Sequence, residues 1–211
     1  MKKELEMIPL IIHQTAPSDR FKWSPIWETC QETVKENFDG FVYKLWDDED
    51  LEEFIRVKYP WFLQQYLEYP SHIMRVDAAR YFILDTYGGI YIDMDFEIYK
   101  NFYSQLHQDK VSIVESSYRE TENYQNSLMA SPPHHPFWNE VFRELMSPTY
   151  EYYKESVLDA TGPRMLDRVI ERTQMPVYTL PAFKYNPRPS TLTYNKTEDL
   201  YSRHYYTAVW R

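Results

Sequence analysis

A chain of 211 residues suits one domain with a real hydrophobic core, and its formal net charge of -9 argues against broad, non-specific nucleic-acid binding, which needs a basic surface. The single cysteine, Cys30, rules out an internal disulfide and a cysteine-built zinc site. No stretch approaches the ~20 apolar residues of a membrane span, and no apolar segment follows the basic N-terminus to make a signal peptide, so the expected compartment is reducing and cytoplasmic.

Residues 8–13, Ile-Pro-Leu-Ile-Ile-His, form a short apolar run that ends in Gln14 and Thr15. It reads as a buried first strand with a loop at its C-terminal end. Residues 25–37 read as a helix and 41–46 as a second strand. Asp47 or Asp48 can cap a helix reaching Lys58, and Pro60 can open another reaching Glu68. Ser71 is placed to cap a helix over 72–86, which Gly88 and Gly89 terminate.

The run 90–92, Ile-Tyr-Ile, is the next strand, with Asp93 and Asp95 at its end. Further strands are expected at 96–99, 111–114, 126–130 and 177–180, and helices at 137–146 and 163–173. The tail from Pro181 to Arg211, rich in Pro, Tyr and Thr, reads as loop with short strands, and its end fits a piece of a longer protein. Strands alternating with helices predict an α/β fold, one Rossmann-like domain over residues 1–211, with a mostly parallel mixed central sheet flanked by helices.

The chemistry concentrates in residues 75–95. Asp77 and Arg80 are three apart on a predicted helix and share a face. The chain then turns at a glycine pair, notable where only four glycines occur in total. The strand that follows stops at two carboxylates one residue apart, and ligands gather at such strand ends in open α/β sheets. In a regular strand Asp93 and Asp95 would point to one side. Two unpaired carboxylates ~4 Å apart repel by about 4 kcal/mol at a protein-surface dielectric. A hard divalent cation relieves that repulsion and leaves positions for phosphate oxygens, so an acidic protein acquires a diphosphate site.

This segment resembles the donor-site signature of glycosyltransferase family 32, the DXD-containing sugar-binding glycosyltransferases of GT-A type. The group is similar to fungal mannosyltransferases and, more distantly, to glucosylating clostridial toxins. The chain is also similar to the N-terminal domain of a large chlorella-virus glycosyltransferase. Asp77, Arg80, Tyr81, Tyr87, Gly88, Gly89, Tyr91, Asp93 and Asp95 match the pattern, and Val76 stands where a serine is usual. Residues 8–14, Thr161-Gly162-Pro163 and the His204-to-Trp210 segment match further along.

The resemblance implies a hexosyltransferase that uses Mn2+ or Mg2+, a nucleotide-sugar donor and a glycan or glycoconjugate acceptor hydroxyl, with retention of anomeric configuration. UDP-hexoses such as UDP-glucose are favoured, and GDP-mannose is the alternative. It further implies that Asp77 binds a donor-sugar hydroxyl, Arg80 the sugar or diphosphate, and Asp95 the metal. Asp93 contacts ribose, metal or metal-bound water, and Gln14 and Thr15 lie near the base. Asn126 stands on the donor side, His204 is the candidate third metal ligand, and Trp210 either contacts the diphosphate or packs.

The family often has Trp where this chain has Ala16, and Tyr205 and Val209 replace members of its C-terminal pattern. His134-His135, in a Pro-rich turn, and the aromatics from Phe21 to Trp27 read as structural. Two rivals remain: a haloacid-dehalogenase-type phosphatase, which also places Asp-x-Asp after an apolar strand, and a sugar-nucleotide binding module without transferase activity.

Overall fold

The computed structural model describes residues 7–147, 150–188 and 199–207. Strand β1 (Ile11–Thr15) runs parallel to β2 (Val42–Trp46), with helix α1 (Trp27–Asn37) connecting them. Helices α2 (Asp48–Lys58), α3 (Leu63–Glu68) and α4 (His72–Tyr87) then lead to β3 (Gly89–Ile92), which returns parallel to β1 on its other side. A short β4 (Phe96–Ile98) leaves this sheet. Next come β5 (Ser112–Glu115), β6 (Tyr124–Ser131), α5 (Pro136–Leu145), α6 (Tyr150–Tyr153), α7 (Val157–Ala160), α8 (Pro163–Thr173), β7 (Tyr178–Leu180), α9 (Ala182–Tyr185) and β8 (Ser202–His204).

The main sheet has the order β2-β1-β3-β6-β5-β7. Three of its neighbouring pairs are parallel, while β6 runs antiparallel to both β3 and β5. β4 and β8 form a separate antiparallel pair. The expected α/β architecture with a mostly parallel mixed sheet is what the chain adopts. No helix among the described residues is long and apolar enough to cross a membrane.

Alternation along the strands divides the core between the two faces of the sheet. Tyr91, Ile113 and Met129 face α4, α5 and α8, where Tyr81, Phe82, Trp138 and Leu166 are buried. Ile90, Ile92, Val114 and Leu128 face the other way, toward Val34 of α1 and Phe38 just after it. Helix α4 is buried around most of its circumference, as expected of a helix apolar on nearly every face. Its polar exceptions, Asp77 and Arg80, are therefore held deep in the molecule.

Local signals account for the boundaries. Asp47 caps α2 in a full capping box with Asp50. Gly162 and Pro163 open α8. Gly88 ends α4 at φ +61, and Gly89 continues at φ +91. A Cβ on Gly89 would lie 2.5 Å from the Ile11 carbonyl oxygen, so β3 approaches β1 at a distance only glycine permits. The third helix starts at Leu63 rather than at Pro60, which lies in a turn closed by Phe62 N–H to Tyr59 O. Ser71 occupies the N-cap of α4, yet its side chain makes no cap bond.

Candidate active site

The site forms where α4, the C-terminal end of β3 and a bulge in β6 meet. Across β5, Ile113 pairs with Met129 and Val114 with Gln125, so residues 126–128 bulge out of register. The bulge turns Asn126 toward α4, a common use of bulges beside functional sites. Its amide nitrogen donates to Asp77 Oδ1 at 3.0 Å and to the Tyr81 hydroxyl at 3.1 Å. Tyr81 donates in turn to the Thr161 carbonyl at 2.7 Å, and the Thr161 hydroxyl reaches Asp77 Oδ2 at 3.4 Å.

Arg80 is the centre of this network. Its Nη2 pairs with Asp77 Oδ1 at 2.9 Å, and its Nη1 donates to the Asn126 carbonyl at 2.9 Å and pairs with Asp93 Oδ1 at 3.3 Å. The guanidinium lies 4.6 Å from the centre of the Tyr91 ring. Burial works against the charge on Arg80, but the Asp93 and Asp77 carboxylates outweigh it and keep the guanidinium charged at every accessible pH. Burial pushes Asp77 up to about 6, against the pull of Arg80. Asp93 is also raised by burial, with Arg80 opposing and Asp95 adding.

Asp93 and Asp95 lie at the end of β3, as expected, but in a turn and not in regular strand geometry. β3 stops at Ile92, and Asp93-Met94-Asp95 is a turn closed by Phe96 N–H to Asp93 O at 3.2 Å. The chain changes sheets here, and the turn still brings both carboxylates together. Asp93 is fixed from below: its N–H donates to Ser127 O, and its Oδ1 accepts from the Tyr91 hydroxyl at 2.8 Å. That hydroxyl has one proton, so the Thr15 hydroxyl, 2.8 Å away, is the donor in their pair. Gln14 donates to the Asp93 carbonyl at 3.3 Å and accepts from Tyr43 at 2.7 Å. Gln14 and Thr15 thus reach the site from the end of β1, with these bonds spent on supporting Asp93.

The third side of the site comes from the C-terminal segment. β8 pairs with β4 so that His204 lies opposite Phe96. His204 Nε2 is 3.0 Å from Asp95 Oδ1. Tyr205 N–H donates to the Asp95 carbonyl, and Thr207 gives both N–H (2.8 Å) and hydroxyl (3.0 Å) to Asp95 Oδ2. Although burial works to raise it, His204 and Thr207 outweigh that cost and hold Asp95 down at about 2. Asp95 is therefore an anion throughout the neutral range.

One ligand atom from each of Asp93, Asp95 and His204 falls within 4.8 Å of the others. Ligands ~2.1 Å from a shared ion are ~3 Å apart when cis and ~4.2 Å when trans, so small adjustments complete the set. Two carboxylates and one imidazole are hard-to-borderline donors that suit Mn2+ or Mg2+. The residues present fit a divalent cation.

Asp77, Arg80, Asp93, Asp95, Asn126 and His204 are thus assembled in one place, with Gln14 and Thr15 behind them. Trp210 lies outside the described residues. His134 and His135 sit beyond β6, at the Gly88 end of β3 and away from Asp93. His135 accepts from Phe137 N–H as the cap of α5, the structural role expected of it. Among the aromatics read as packing, Trp27 is buried and donates to the Thr207 hydroxyl, whereas Phe21 is fully exposed. Sequence reasoning missed Thr207 and Tyr206. No local signal marks them beyond their position just after His204.

A mixed α/β sheet with an Asp-x-Asp turn at a strand end, facing a buried arginine, defines the GT-A class of sugar transferase. The family described as "glycosyltransferase sugar-binding region containing DXD motif" matches residues 24–118. The chain is 31% identical over 204 residues to inositol phosphoceramide mannosyltransferase 1 of Schizosaccharomyces pombe, covering 93% of this chain and 63% of that protein. It is 30% identical over 177 residues to the uncharacterised glycosyltransferase L373 of Acanthamoeba polyphaga mimivirus, covering 80% of this chain and 67% of that protein. The chain belongs to this family of DXD-containing glycosyltransferases. It spans between 41% and 63% of the length of the fungal relatives it matches. A glycosyltransferase involved in glycosylation of the major capsid of PBCV-1 shares the fold, with a TM-score of 0.53, 11% identity and 94% of both chains covered.

Proposed function

We propose that this protein is a metal-dependent glycosyltransferase that moves a hexose from a nucleoside diphosphate sugar to an acceptor hydroxyl. The observation that carries the reading is the convergence of Asp93, Asp95 and His204 on one point beside Arg80. Alone, this corner sets the carboxylates Asp77, Asp93 and Asp95 against a single guanidinium, a charge balance hostile to a diphosphate. A divalent cation held there supplies the missing positive charge as a Lewis acid. Arg80 adds a buried cation beside Asp93, whose charge favours the diphosphate as the bond to that leaving group lengthens. Asp77 and Asn126, already bonded to one another, are placed to orient hydroxyls of the transferred sugar.

For the donor, the sequence resemblance favours UDP-glucose, while the names of the fungal relatives carry mannose and support GDP-mannose. We take the sugar to be a hexose and GDP-mannose to be the first donor to test. The acceptor is a hydroxyl on a glycan or glycoconjugate, and the inositol phosphoceramide in a relative's name makes an inositol-phosphate headgroup the first choice. Retention of anomeric configuration follows from the family resemblance and is read from the product anomer by NMR.

Thermal unfolding with GDP-mannose and UDP-glucose, with and without Mn2+, tests the proposal. A metal-dependent rise in Tm that EDTA abolishes and Asp95→Ala loses is expected, together with Mn2+-dependent release of the nucleoside diphosphate. No shift with any nucleotide sugar overturns the reading. A shift without turnover on any acceptor or water points instead to a binding module.

A further inference from the structure

A histidine that binds metal through one ring nitrogen usually donates its other N–H to a carboxylate or carbonyl, which fixes the ring. Among the described residues His204 lacks that device: its Nδ1 is buried and has no hydrogen-bond partner there. Something else must hold the imidazole toward Asp95. Two rings touch it at near-parallel angles, Phe96 at 4.4 Å and 17° and Tyr206 at 4.0 Å and 32°. Two such rings cannot share one face of an imidazole, so they sandwich it. Phe96 is a core residue of β4. Tyr206 is two residues from His204, and nothing in regular strand geometry would bring it back over that ring.

The backbone does so by adopting an unusual conformation. Tyr206 has φ +52, the left-handed region, uncommon for a residue with a large side chain. This reversal lets Tyr205 and Thr207 both donate to Asp95 while the Tyr206 ring folds over His204. The far end of the ring is tied down as well. The Tyr206 hydroxyl donates to Asn186 Oδ1 at 2.7 Å, and Asn186, fully buried, donates to Gln125 Oε1 at 2.8 Å. The edge of Tyr118 packs at 5.5 Å.

We propose that Tyr206 is the positioning residue of the metal site: its ring, anchored through Asn186, holds the His204 imidazole in the orientation that completes the cation's ligand set. The inference rests on the metal-dependent reading above.

The test is Mn2+ affinity, followed by the EPR signal of the free aqua ion, in the whole chain without donor or acceptor. Tyr206→Ala is expected to raise the Mn2+ Kd about tenfold, the lower end of the 10–100-fold typical of outer-shell partners. Tyr206→Phe keeps the ring but loses its hydroxyl anchor, and Asn186→Ala removes the same bond from the other side while leaving the weaker contact to the Ser117 hydroxyl at 3.3 Å. Both should fall between wild type and Tyr206→Ala, and Asn186→Ala carries the test if Tyr206→Ala does not fold. Val34→Ala, a core truncation on the buried face of α1, should lower Tm yet leave Mn2+ affinity unchanged, which separates positioning from general destabilisation. Wild-type affinity in both Tyr206→Ala and Asn186→Ala overturns the positioning role alone, and so does wild-type affinity in His204→Ala. Failure of the wild-type protein to bind Mn2+ overturns the metal-dependent reading and this inference with it.

Discussion

Thr207 gives both its backbone N–H and its hydroxyl to a single oxygen of Asp95, Oδ2, which leaves Oδ1 turned toward His204. The bonds cross 112 residues of sequence. They divide the carboxylate's work: one oxygen is held by the protein and the other faces the point where Asp93 also converges. The same hydroxyl accepts from the Trp27 indole at 3.0 Å, so the C-terminal strap is linked through it to α1. Thr207→Val keeps the shape and the backbone bond but removes both hydroxyl bonds. We expect a stability loss of about 1–2 kcal/mol by urea unfolding and a several-fold weaker Mn2+ affinity. An unchanged affinity would show that Asp95 needs only the backbone donor.

Arg80 distributes one charge over two carboxylates and a carbonyl: Asp77 through Nη2, and Asp93 and Asn126 O through Nη1. A lysine has the charge without the fork and can satisfy only part of this set. With Asp77 buried and Asp93 half-buried, an unpaired carboxylate is costly, and breaking a buried pair typically costs about 3–5 kcal/mol. Arg80→Lys is therefore expected to lose about 2–4 kcal/mol in urea unfolding, because some pairing survives. Donor turnover should drop by at least roughly 100-fold, as when one preorganised donor is removed from a transition-state site. Turnover within threefold of wild type would remove Arg80 from the chemistry.

Gly89 sets the distance between β1 and β3, and so the place where β3 delivers Asp93. An alanine there meets the Ile11 carbonyl oxygen at 2.5 Å while sitting at φ +91. Gly40 has a similar φ of +84, but a Cβ added to it meets nothing within 4 Å. The two positions separate backbone strain from collision. Gly40→Ala should cost about 1 kcal/mol, the lower end of a left-handed penalty. Gly89→Ala should cost at least about 3 kcal/mol and lower Mn2+ affinity, because backbone must shift. Equal costs at the two sites would mean that the sheet absorbs the collision.

What could be read from the sequence was local. The glycine pair, the apolar run after it and the Gly162-Pro163 helix start each act through neighbouring residues, and they placed α4, β3 and α8 closely. The end of β3 at Ile92 and a separate short strand after Asp95 were legible, but the change of sheet between them was not, because nothing local names the partner of β4. The change exists because β4 pairs with β8, supplied from far along the chain. Asn126 was suspected through resemblance, yet its inward aim depends on the β6 bulge against β5, which no local pattern announces. Thr207 and Tyr206 matter only because the tail wraps Asp95. The short helices α6 and α9 offer too few residues for a periodic signal.

His13, in the middle of β1, predicts how the fold responds to acid. Trp46 Nε1, which can only donate, bonds His13 Nδ1 at 3.1 Å, so the ring proton sits on Nε2 and is donated to Gly88 O at 3.0 Å. The neutral ring is fully satisfied, and it ties β1 to β2 and to the end of α4. A second proton would face the Trp46 N–H inside the core. Burial accordingly lowers His13 from 6.5 to about 4, with Lys44 adding to the effect and the Gly88 bond opposing it. With the folded-state pKa below the unfolded one, the unfolded chain binds more protons between those values, so stability falls as pH drops from about 6.5 to about 4 and levels off below. The shift corresponds to on the order of 3 kcal/mol at full extent. His13→Gln, which cannot titrate, should be less stable than wild type at pH 7 because it cannot reproduce both bonds. The gap should narrow steadily as the pH of the urea series is lowered to 4. A gap that stays constant between pH 7 and pH 4 would mean that His13 is protonated in the folded protein as readily as in the unfolded chain.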